Sequence, residues 1–178
     1  MEFQPFPKIP RLVRDVVITE KIDGTNASVW VDLEGQQPVI LAGSRTRFIT
    51  TEQDNFGFAR WVEENKEELL KLGHGVHAGE WWGQGIQRGY GLKNKVFSLF
   101  NTSIWGDDNV RPRCCSVVPV LYIGPFSTQA TEEALSQLNK FGSSASPGYN
   151  KPEGIVIYHT AAKLYFKQTI EKDERGKG

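Results

Sequence analysis

The chain has 178 residues, of which 39% are hydrophobic and 24% are charged, a composition typical of a globular protein with one hydrophobic core. Its 21 basic and 21 acidic residues give a net charge of zero, which counts against a nucleic-acid partner without excluding one, because local basic patches can steer binding. No apolar stretch is long enough to span a bilayer, so we expect no membrane partner.

The spacing of apolar residues predicts three strands and a helix in the first half of the chain. Residues 27–33 alternate between the two faces of a strand. Apolar runs over 16–20 and 39–42 predict two further strands. The apolar positions of residues 58–72 recur at helical spacing, which predicts an amphipathic helix that ends at Gly73.

Five further strands and one helix are predicted over the rest of the chain. The helix is expected over 132–141, with Thr131 as its N-cap and Gly142 after its last residue. A turn-rich loop is predicted over 143–152. The strands are predicted over 76–82, 95–100, 117–123, 154–159 and 163–168.

Many strands interrupted by two helices favour an α+β fold with antiparallel sheets. No internal repeat or low-complexity linker divides the chain, so we expect a single domain over 1–170, followed by a charged tail over 171–178. The only cysteines, Cys114 and Cys115, are adjacent, a spacing that suits neither a disulfide between them nor a zinc site. We therefore expect a reducing compartment, the cytoplasm, or the host cytoplasm if the source is viral.

The strongest chemical signal is Lys21-Ile22-Asp23-Gly24, between two predicted strands. A lysine amine attacks only when it is unprotonated, a state that desolvation or neighbouring cations favour. A glycine at this point lets the backbone approach a bound nucleotide closely. On these four residues alone, a surface hairpin turn built on Asp-Gly is the simpler interpretation.

A matching series of motifs follows in order. It comprises Ser44-Arg45-Thr46-Arg47, Gly79-Glu80, Val96-Phe97-Ser98-Leu99-Phe100, Pro152-Glu153-Gly154-Ile155-Val156-Ile157 and Tyr165-Phe166-Lys167. Together with the lysine motif, which continues as Thr25-Asn26, the series resembles the ATP-dependent RNA ligases. They belong to the covalent nucleotidyltransferase superfamily, with DNA ligases and mRNA capping enzymes. The resemblance covers about residues 19–168 and implies a ligase adenylation fold, with helices flanking antiparallel sheets and an ATP cleft between them.

The resemblance implies which residues bind the nucleotide. Asp23 and Gly24 are expected to lie beside it, with Asp23 orienting the amine or a metal-bound water. Glu80 is expected to accept hydrogen bonds from the ribose, which would give a buried carboxylate the partners that it needs. Phe100 is expected to stack on adenine, whereas core packing is the competing interpretation, most of all for Phe97.

The resemblance also implies the groups that act on phosphate. Lys21 is the expected nucleophile, and Arg45 is expected to contact the nucleotide or the incoming 5′-phosphate through its guanidinium. Glu153 is the expected ligand of Mg²⁺ or Mn²⁺. Lys167 is expected to contact the α-phosphate.

The last motif departs from the family pattern. The family carries Lys-x-Lys, but Tyr165 stands at the first of the two lysine positions here. Lys163 is a candidate replacement, or it is simply exposed. The register of this motif is therefore open.

The implied activity is ATP-dependent RNA ligation, as in RNA repair. Lys21 would form a covalent lysyl-AMP, transfer the AMP to an RNA 5′-phosphate and seal the end to a 3′-hydroxyl. Nick-sealing relatives carry an additional C-terminal domain, whereas we expect a minimal enzyme of one domain here. A protein partner or a missing C-terminal domain is left open as an alternative. The alternatives are a DNA ligase, a GTP-dependent capping-type enzyme, and a non-catalytic module that binds nucleotides or RNA ends.

A candidate surface for RNA lies in the middle of the chain, where basic residues are interleaved with aromatic ones. A solvated loop face is an equally good interpretation. The residues are Arg88, Tyr90, Lys93, Lys95, Trp105, Arg111 and Arg113.

Overall fold

The computed structural model describes residues 2–171 and shows an α+β fold with two sheets. The predicted fold class is confirmed. Of the charged tail predicted over 171–178, only Glu171 belongs to the described residues.

The first sheet has four antiparallel strands in the order β10-β9-β1-β8. The strands are β1 (Asp15–Lys21), β8 (Val120–Pro125), β9 (Gly154–His159) and β10 (Leu164–Thr169). One face of this sheet is covered by the helix α4 (Thr128–Phe141), which buries Ala134 and Leu138 against Val16, Ile18 and Ile155. The opposite face of this sheet lines a cleft.

The second sheet has six strands in the order β4-β3-β2-β5-β6-β7. They are β2 (Thr25–Asp32), β3 (Val39–Ser44), β4 (Phe48–Ile49), β5 (Gly75–Gly83), β6 (Lys95–Leu99) and β7 (Cys115–Val117). All neighbours are antiparallel except β6 and β7, which run parallel. The largest hydrophobic core lies here, around Phe58, Trp81 and Phe97.

The helix predicted over 58–72 is wrong as a single element. The structure has α1 (Phe58–Glu64), α2 (Lys66–Leu69) and a 3₁₀ turn over Leu70–Leu72. The break falls at Asn65, whose side-chain amide donates to the carbonyl of Trp61 at 2.8 Å. Asparagine side chains compete in this way with the helical backbone. A further short helix, α3 (Thr102–Trp105), was not predicted.

The helix α4 begins earlier than predicted. Ser127, in an extended conformation, accepts a hydrogen bond from the amide of Ala130 at 3.1 Å and is therefore the N-cap. Thr131, the predicted cap, is the fourth residue of the helix, and its hydroxyl donates to the carbonyl of Ser127.

The strand predicted over 117–123 is also wrong as one element. Its first residue ends β7 in the second sheet, and residues from Val120 onward form β8 in the first sheet. Pro119 lies between them and has no N–H to donate to a strand neighbour. The chain therefore crosses from one sheet to the other at this proline.

We predict that Phe97 carries much of the stability of the second sheet. Phe97 is fully buried, with its ring 5.0 Å from Phe58 and 5.5 Å from Trp61. Phe97→Ala should lower the free energy of unfolding by about 3–5 kcal/mol, measured by urea denaturation, because it leaves a cavity. Phe48→Ala, at a ring that is 51% exposed, is the control and should cost much less. Equal losses would contradict this assignment of the core.

Candidate functional site

A cleft of about 550 Å³ lies on the open face of the first sheet. One wall is formed by residues of β1, β9 and β10 that point away from α4. The other wall comes from the end of β5 and from residues 100–103. Among the lining residues are Lys21, Asn26, Glu80 and Phe100, so the cleft gathers motifs that are far apart in the sequence.

Lys21 and Glu153 form an ion pair at one end of this cleft. Lys21 is the last residue of β1 and pairs with Gly154, the first residue of β9. This register places Glu153 beside the lysine, with Oε2 2.6 Å from Nζ. The two side chains are only 24% and 17% exposed, so the pair is partly shielded from water.

Glu80 holds the loop that follows the lysine. Its Oε1 accepts from the amide of Gly24 at 3.1 Å, and its Oε2 accepts from Nδ2 of Asn26 at 3.0 Å. Burial raises the pKa of Glu80 from 4.5 to about 7, against the opposing effects of the Lys21 charge and of these two hydrogen bonds. The carboxylate therefore lies in the cleft wall with its charge strongly desolvated.

Gly24 is required by close packing as well as by any ligand. A Cβ at this position would lie 2.5 Å from the carbonyl oxygen of Trp81 and 2.7 Å from Cβ of Trp82. The loop after the lysine can lie this close to β5 only because residue 24 has no side chain.

A second buried carboxylate, that of Glu20, immediately precedes the lysine. The sequence motifs did not identify Glu20 as a site residue. Its oxygens accept from the hydroxyl of Ser143 at 2.6 Å and from the amides of Ser144 and Ala145, each at 2.8 Å. Burial raises the pKa of Glu20, and these hydrogen bonds oppose the rise. Strand alternation could have revealed Glu20, because it follows Val16 and Ile18 on the buried face of β1.

Asp23 is held by two residues of the loop over 84–94. Nε of Arg88 donates to Oδ2 of Asp23 at 2.9 Å, and Nη1 of Arg88 donates to the carbonyl of Lys151 at 3.1 Å. The backbone amide of Asp23 donates to the hydroxyl of Tyr90 at 2.9 Å. Asp23 therefore faces Arg88 here, and its expected contact with the nucleophile or with a metal-bound water stays a prediction.

The candidate RNA surface in the middle of the chain is wrong in its main members. Tyr90 and Trp105 are 1% and 6% exposed, so neither ring is open to a base. Arg88 is engaged with Asp23, and Arg111 donates to the carbonyl of Trp105. Buried aromatic rings and paired guanidiniums make these residues part of the fold.

The structure separates the two phenylalanines proposed for adenine. Phe100 lines the cleft, whereas Phe97 is buried in the core of the second sheet. Arg45 lies in the tight turn between β3 and β4, where the amide of Ser44 donates to the carbonyl of Arg47 at 2.8 Å. Arg45 is exposed and does not line the cleft.

Lys167 shares a face of the sheet with the cleft. It pairs with Val156, which in turn pairs with Thr19, and both of these residues line the cleft. Lys167 itself is exposed on the edge strand β10. Lys163 was predicted to begin this strand, but it lies in the preceding turn with a φ of 55°, at the opposite end of the hairpin from Glu153.

Within residues 2–171, the one cluster of three side chains with metal-ligating atoms close together is exposed and lies elsewhere. It comprises Asp32, Glu34 and His74, at the end of β2 remote from Thr25. The predicted metal ligand, Glu153, lies beside the cleft in its ion pair with Lys21, and its role toward Mg²⁺ or Mn²⁺ stays a prediction. No helix in the same range is long and apolar enough to cross a membrane.

The two sheets, with a lysine at the mouth of the cleft between them, define a nucleotidyltransferase-like fold. A family model described as RNA ligase matches residues 14–174. The chain belongs to the RNA ligase family, as the motif series predicted. A search of curated proteins found no match.

Solved structures of the Naegleria gruberi RNA ligase share this fold. The form with PPi is 23% identical with a TM-score of 0.64, covering 87% of this chain and 49% of that one. A mutant with ATP and Mn is 21% identical with a TM-score of 0.65, covering 90% and 51%. A mutant with AMP and Mn is 21% identical with a TM-score of 0.65, covering 89% of this chain and 50% of that one. This chain thus spans about half the length of these neighbours.

We predict a pH dependence of stability from Glu80. Its pKa of about 7 in the folded protein exceeds its ordinary value of 4.5, so the folded state binds the proton more tightly than the unfolded state. The contribution of Glu80 to the free energy of unfolding should therefore fall by up to about 3 kcal/mol as pH rises from 4.5 to above 7.

Glu80→Gln tests this prediction in urea unfolding curves at pH 5 and pH 8. The variant should lose less stability than the parent between these two pH values, because glutamine has no carboxyl group to titrate. The Asn26 amide can rotate to accept from the new side chain, which keeps the hydrogen bond. An identical loss in both proteins would show that Glu80 titrates normally.

Proposed function

We propose that the protein is an ATP-dependent RNA ligase that forms a covalent lysyl-AMP on Lys21. The observation that carries the proposal is the meeting of Lys21, Glu80 and Phe100 in one cleft. Glu153 joins them through its ion pair with Lys21. Each belongs to a different motif of the family that the chain matches over residues 14–174. The ATP and AMP named with the Naegleria gruberi structures agree with this choice of nucleotide.

In the first step, the neutral amine of Lys21 attacks the α-phosphorus of ATP. A nitrogen–phosphorus bond forms, the bond to the β-phosphate oxygen breaks, and pyrophosphate leaves. Lys21 must lose its proton and its ion pair before this attack. Oε2 of Glu153 lies 2.6 Å from the amine nitrogen and is placed to accept that proton.

In the second step, an oxygen of the RNA 5′-phosphate attacks the same phosphorus, and the bond to Lys21 breaks. A 3′-hydroxyl then attacks the activated 5′-phosphate, and AMP leaves as the phosphodiester forms. The protein mainly aligns the reacting groups and neutralises charge on phosphate. Lys167, on the cleft face of β10, is the proposed contact for the α-phosphate.

The nucleoside is assigned to the inner part of the cleft. The Phe100 ring would stack on adenine, with Val156 on the opposite wall. Glu80, which lines the same space, would accept from the ribose hydroxyls. Its charge is already desolvated by the fold, so little further burial is needed when the ribose binds.

Glu153 is the proposed carboxylate for Mg²⁺ or Mn²⁺, and a bound ion would supply positive charge to the phosphates. Because Glu153 contacts Lys21 in this structure, metal and lysine compete for the same carboxylate. Arg45 lies outside the cleft, a position that suits the incoming 5′-phosphate better than the bound nucleotide.

We predict that Lys21 alone accepts label from ATP labelled on its α-phosphate. With Mg²⁺ present, the parent should become labelled, and Lys21→Ala should lose the label entirely, because Lys21 is the proposed nucleophile and Lys167 is proposed only to contact an α-phosphate oxygen. Lys140→Ala, at an exposed lysine of α4, is the control and should label like the parent. Labelling from GTP alone would contradict the ATP assignment. No labelling of the parent would contradict the enzyme and favour the non-catalytic binding module.

The same variant separates the steps of ligation. Lys21→Ala should fail to seal RNA with a plain 5′-phosphate but should still join a pre-adenylylated strand to a 3′-hydroxyl, measured by gel electrophoresis of labelled RNA. Sealing of plain ends at the parent's rate would show that Lys21 is not the nucleophile.

We predict that Phe100 stacks on the base. Phe100→Ala should raise the ATP concentration needed for half-maximal labelling by about 5- to 100-fold, since a base–aromatic stack is worth roughly 1–3 kcal/mol. Phe100→Tyr keeps the ring and should remain close to the parent. If both variants weaken equally, the Phe100 ring packs against protein and not against adenine.

A further inference from the structure

A pair of tyrosines lines the cleft at the end near the turn between β9 and β10. Tyr165 of β10 pairs directly with Tyr158 of β9, and both line the cleft. Their ring centroids are 4.7 Å apart with an interplanar angle of 34°. Tyr165 is 65% exposed, so one ring of the pair is open to solvent. An open ring supported by a second ring is a suitable platform for a nucleobase.

The platform lies in a row of exposed side chains along the edge of the sheet. Lys167 shares the face of Tyr165, two residues further along β10, and Lys163 immediately precedes the strand. Residues two apart in a strand lie roughly 6.6 Å apart. Lys167 thus supplies a cation at short spacing on the same face as the Tyr165 ring, and Lys163 lies in the turn just before the strand.

A groove of about 610 Å³ continues from this edge. It is formed by the N-terminal segment and the turn between β9 and β10, and its basic lining residues are Lys8, Arg11 and Arg14. All three are exposed. No carboxylate between residues 2 and 171 lies within 4.0 Å of their cationic groups. The groove is therefore locally positive, although the net charge of the whole chain is zero.

The groove and the cleft share a boundary. Thr160 lines the cleft, and the next residue, Ala161, lines the groove. The amide of Thr160 donates to the carbonyl of Asp15 at 3.1 Å, which fixes the turn against the start of β1. The turn between β9 and β10 therefore contributes residues to both the cleft and the groove.

We propose that the cleft end at Tyr165 and the basic groove beside the same turn together bind single-stranded RNA. One base stacks on Tyr165, and the phosphates that follow lie along Lys8, Arg11 and Arg14. The inference rests on the proposed function, since it assigns the path of the RNA relative to the cleft. Interleaved aromatic and cationic side chains without base-specific hydrogen bonds are typical of sequence-tolerant single-strand binding.

The cations are tested by fluorescence anisotropy with a 3′-labelled single-stranded RNA that carries a 5′-hydroxyl. The variant K8Q/R11Q/R14Q should bind at least about tenfold more weakly at low salt. The slope of log K against log salt should become less negative by roughly 2, because each phosphate contact contributes about 0.7 for single strands. Its lysyl-AMP formation with ATP should stay at the parent's level, since these residues lie outside the cleft.

The control removes three exposed charges from other surfaces, as K66Q/K71Q/K140Q, and should leave RNA binding unchanged. Equal weakening by both variants, or no weakening by the first, overturns the proposal. If the parent binds RNA with this cation dependence but forms no lysyl-AMP, the proposed function fails and this surface stands.

The aromatic platform is tested with the same RNA. Tyr165→Ala should weaken binding by about 5- to 100-fold, whereas Tyr165→Phe should keep most of the affinity because it keeps the ring. The parent should also prefer single-stranded over fully paired RNA, whose bases are already stacked. Equal affinity for both RNAs, or equal loss in both variants, overturns the stacking role.

Discussion

The ion pair between Lys21 and Glu153 is the contact on which the whole site depends. The two residues are 132 positions apart in the sequence, and only the pairing of β1 with β9 brings them together. Because side chains alternate across a strand, a slip of one residue would send Lys21 to the face covered by α4. The antiparallel register of the first sheet therefore positions the amine, and the core under α4 fixes that register.

Hydrogen bonds to buried groups hold the backbone on both sides of the lysine. Glu20 is tied to the loop over 143–146, and the hydroxyl of Ser146 in that loop donates to the carbonyl of Tyr90. Tyr90 in turn accepts from the amide of Asp23. Within residues 2–171 no buried side-chain nitrogen or oxygen lacks a partner. Burying a carboxylate costs stability, so an apolar core would be more stable at this place. The network of hydrogen bonds instead fixes the geometry of the backbone around Lys21.

Much of the fold could be predicted because alternation and helix-end signals are local. The strands over 16–20, 76–82 and 154–159 match β1, β5 and β9 closely. The errors arose where one side chain redirects the backbone, at Asn65, or where one residue cannot donate a strand hydrogen bond, at Pro119. The spacing of apolar residues, on which the predicted elements rest, is sensitive to neither effect.

The site could be predicted less completely than the fold. Motif order identified the residues that line the cleft, such as Lys21 and Glu80, because a ligand-binding pattern is carried by residue type and spacing. It did not identify Tyr90 or the pairing of Arg88 with Asp23, because a tertiary contact across 65 positions leaves no local signal. The exposed position of Arg45 likewise follows from the turn between β3 and β4 and not from its motif.

The central claim is that one particular amine becomes bonded to AMP. The most direct measurement is peptide mapping by mass spectrometry after incubation of the protein with ATP and Mg²⁺, with the peptides kept at neutral or alkaline pH, because the phosphorus–nitrogen bond of a lysyl-AMP is labile in acid, and with the adducts located by fragmentation. The account predicts an AMP adduct on the peptide that contains Lys21, at that lysine alone. An adduct on another residue, or an unmodified Lys21 after complete incubation, would contradict it.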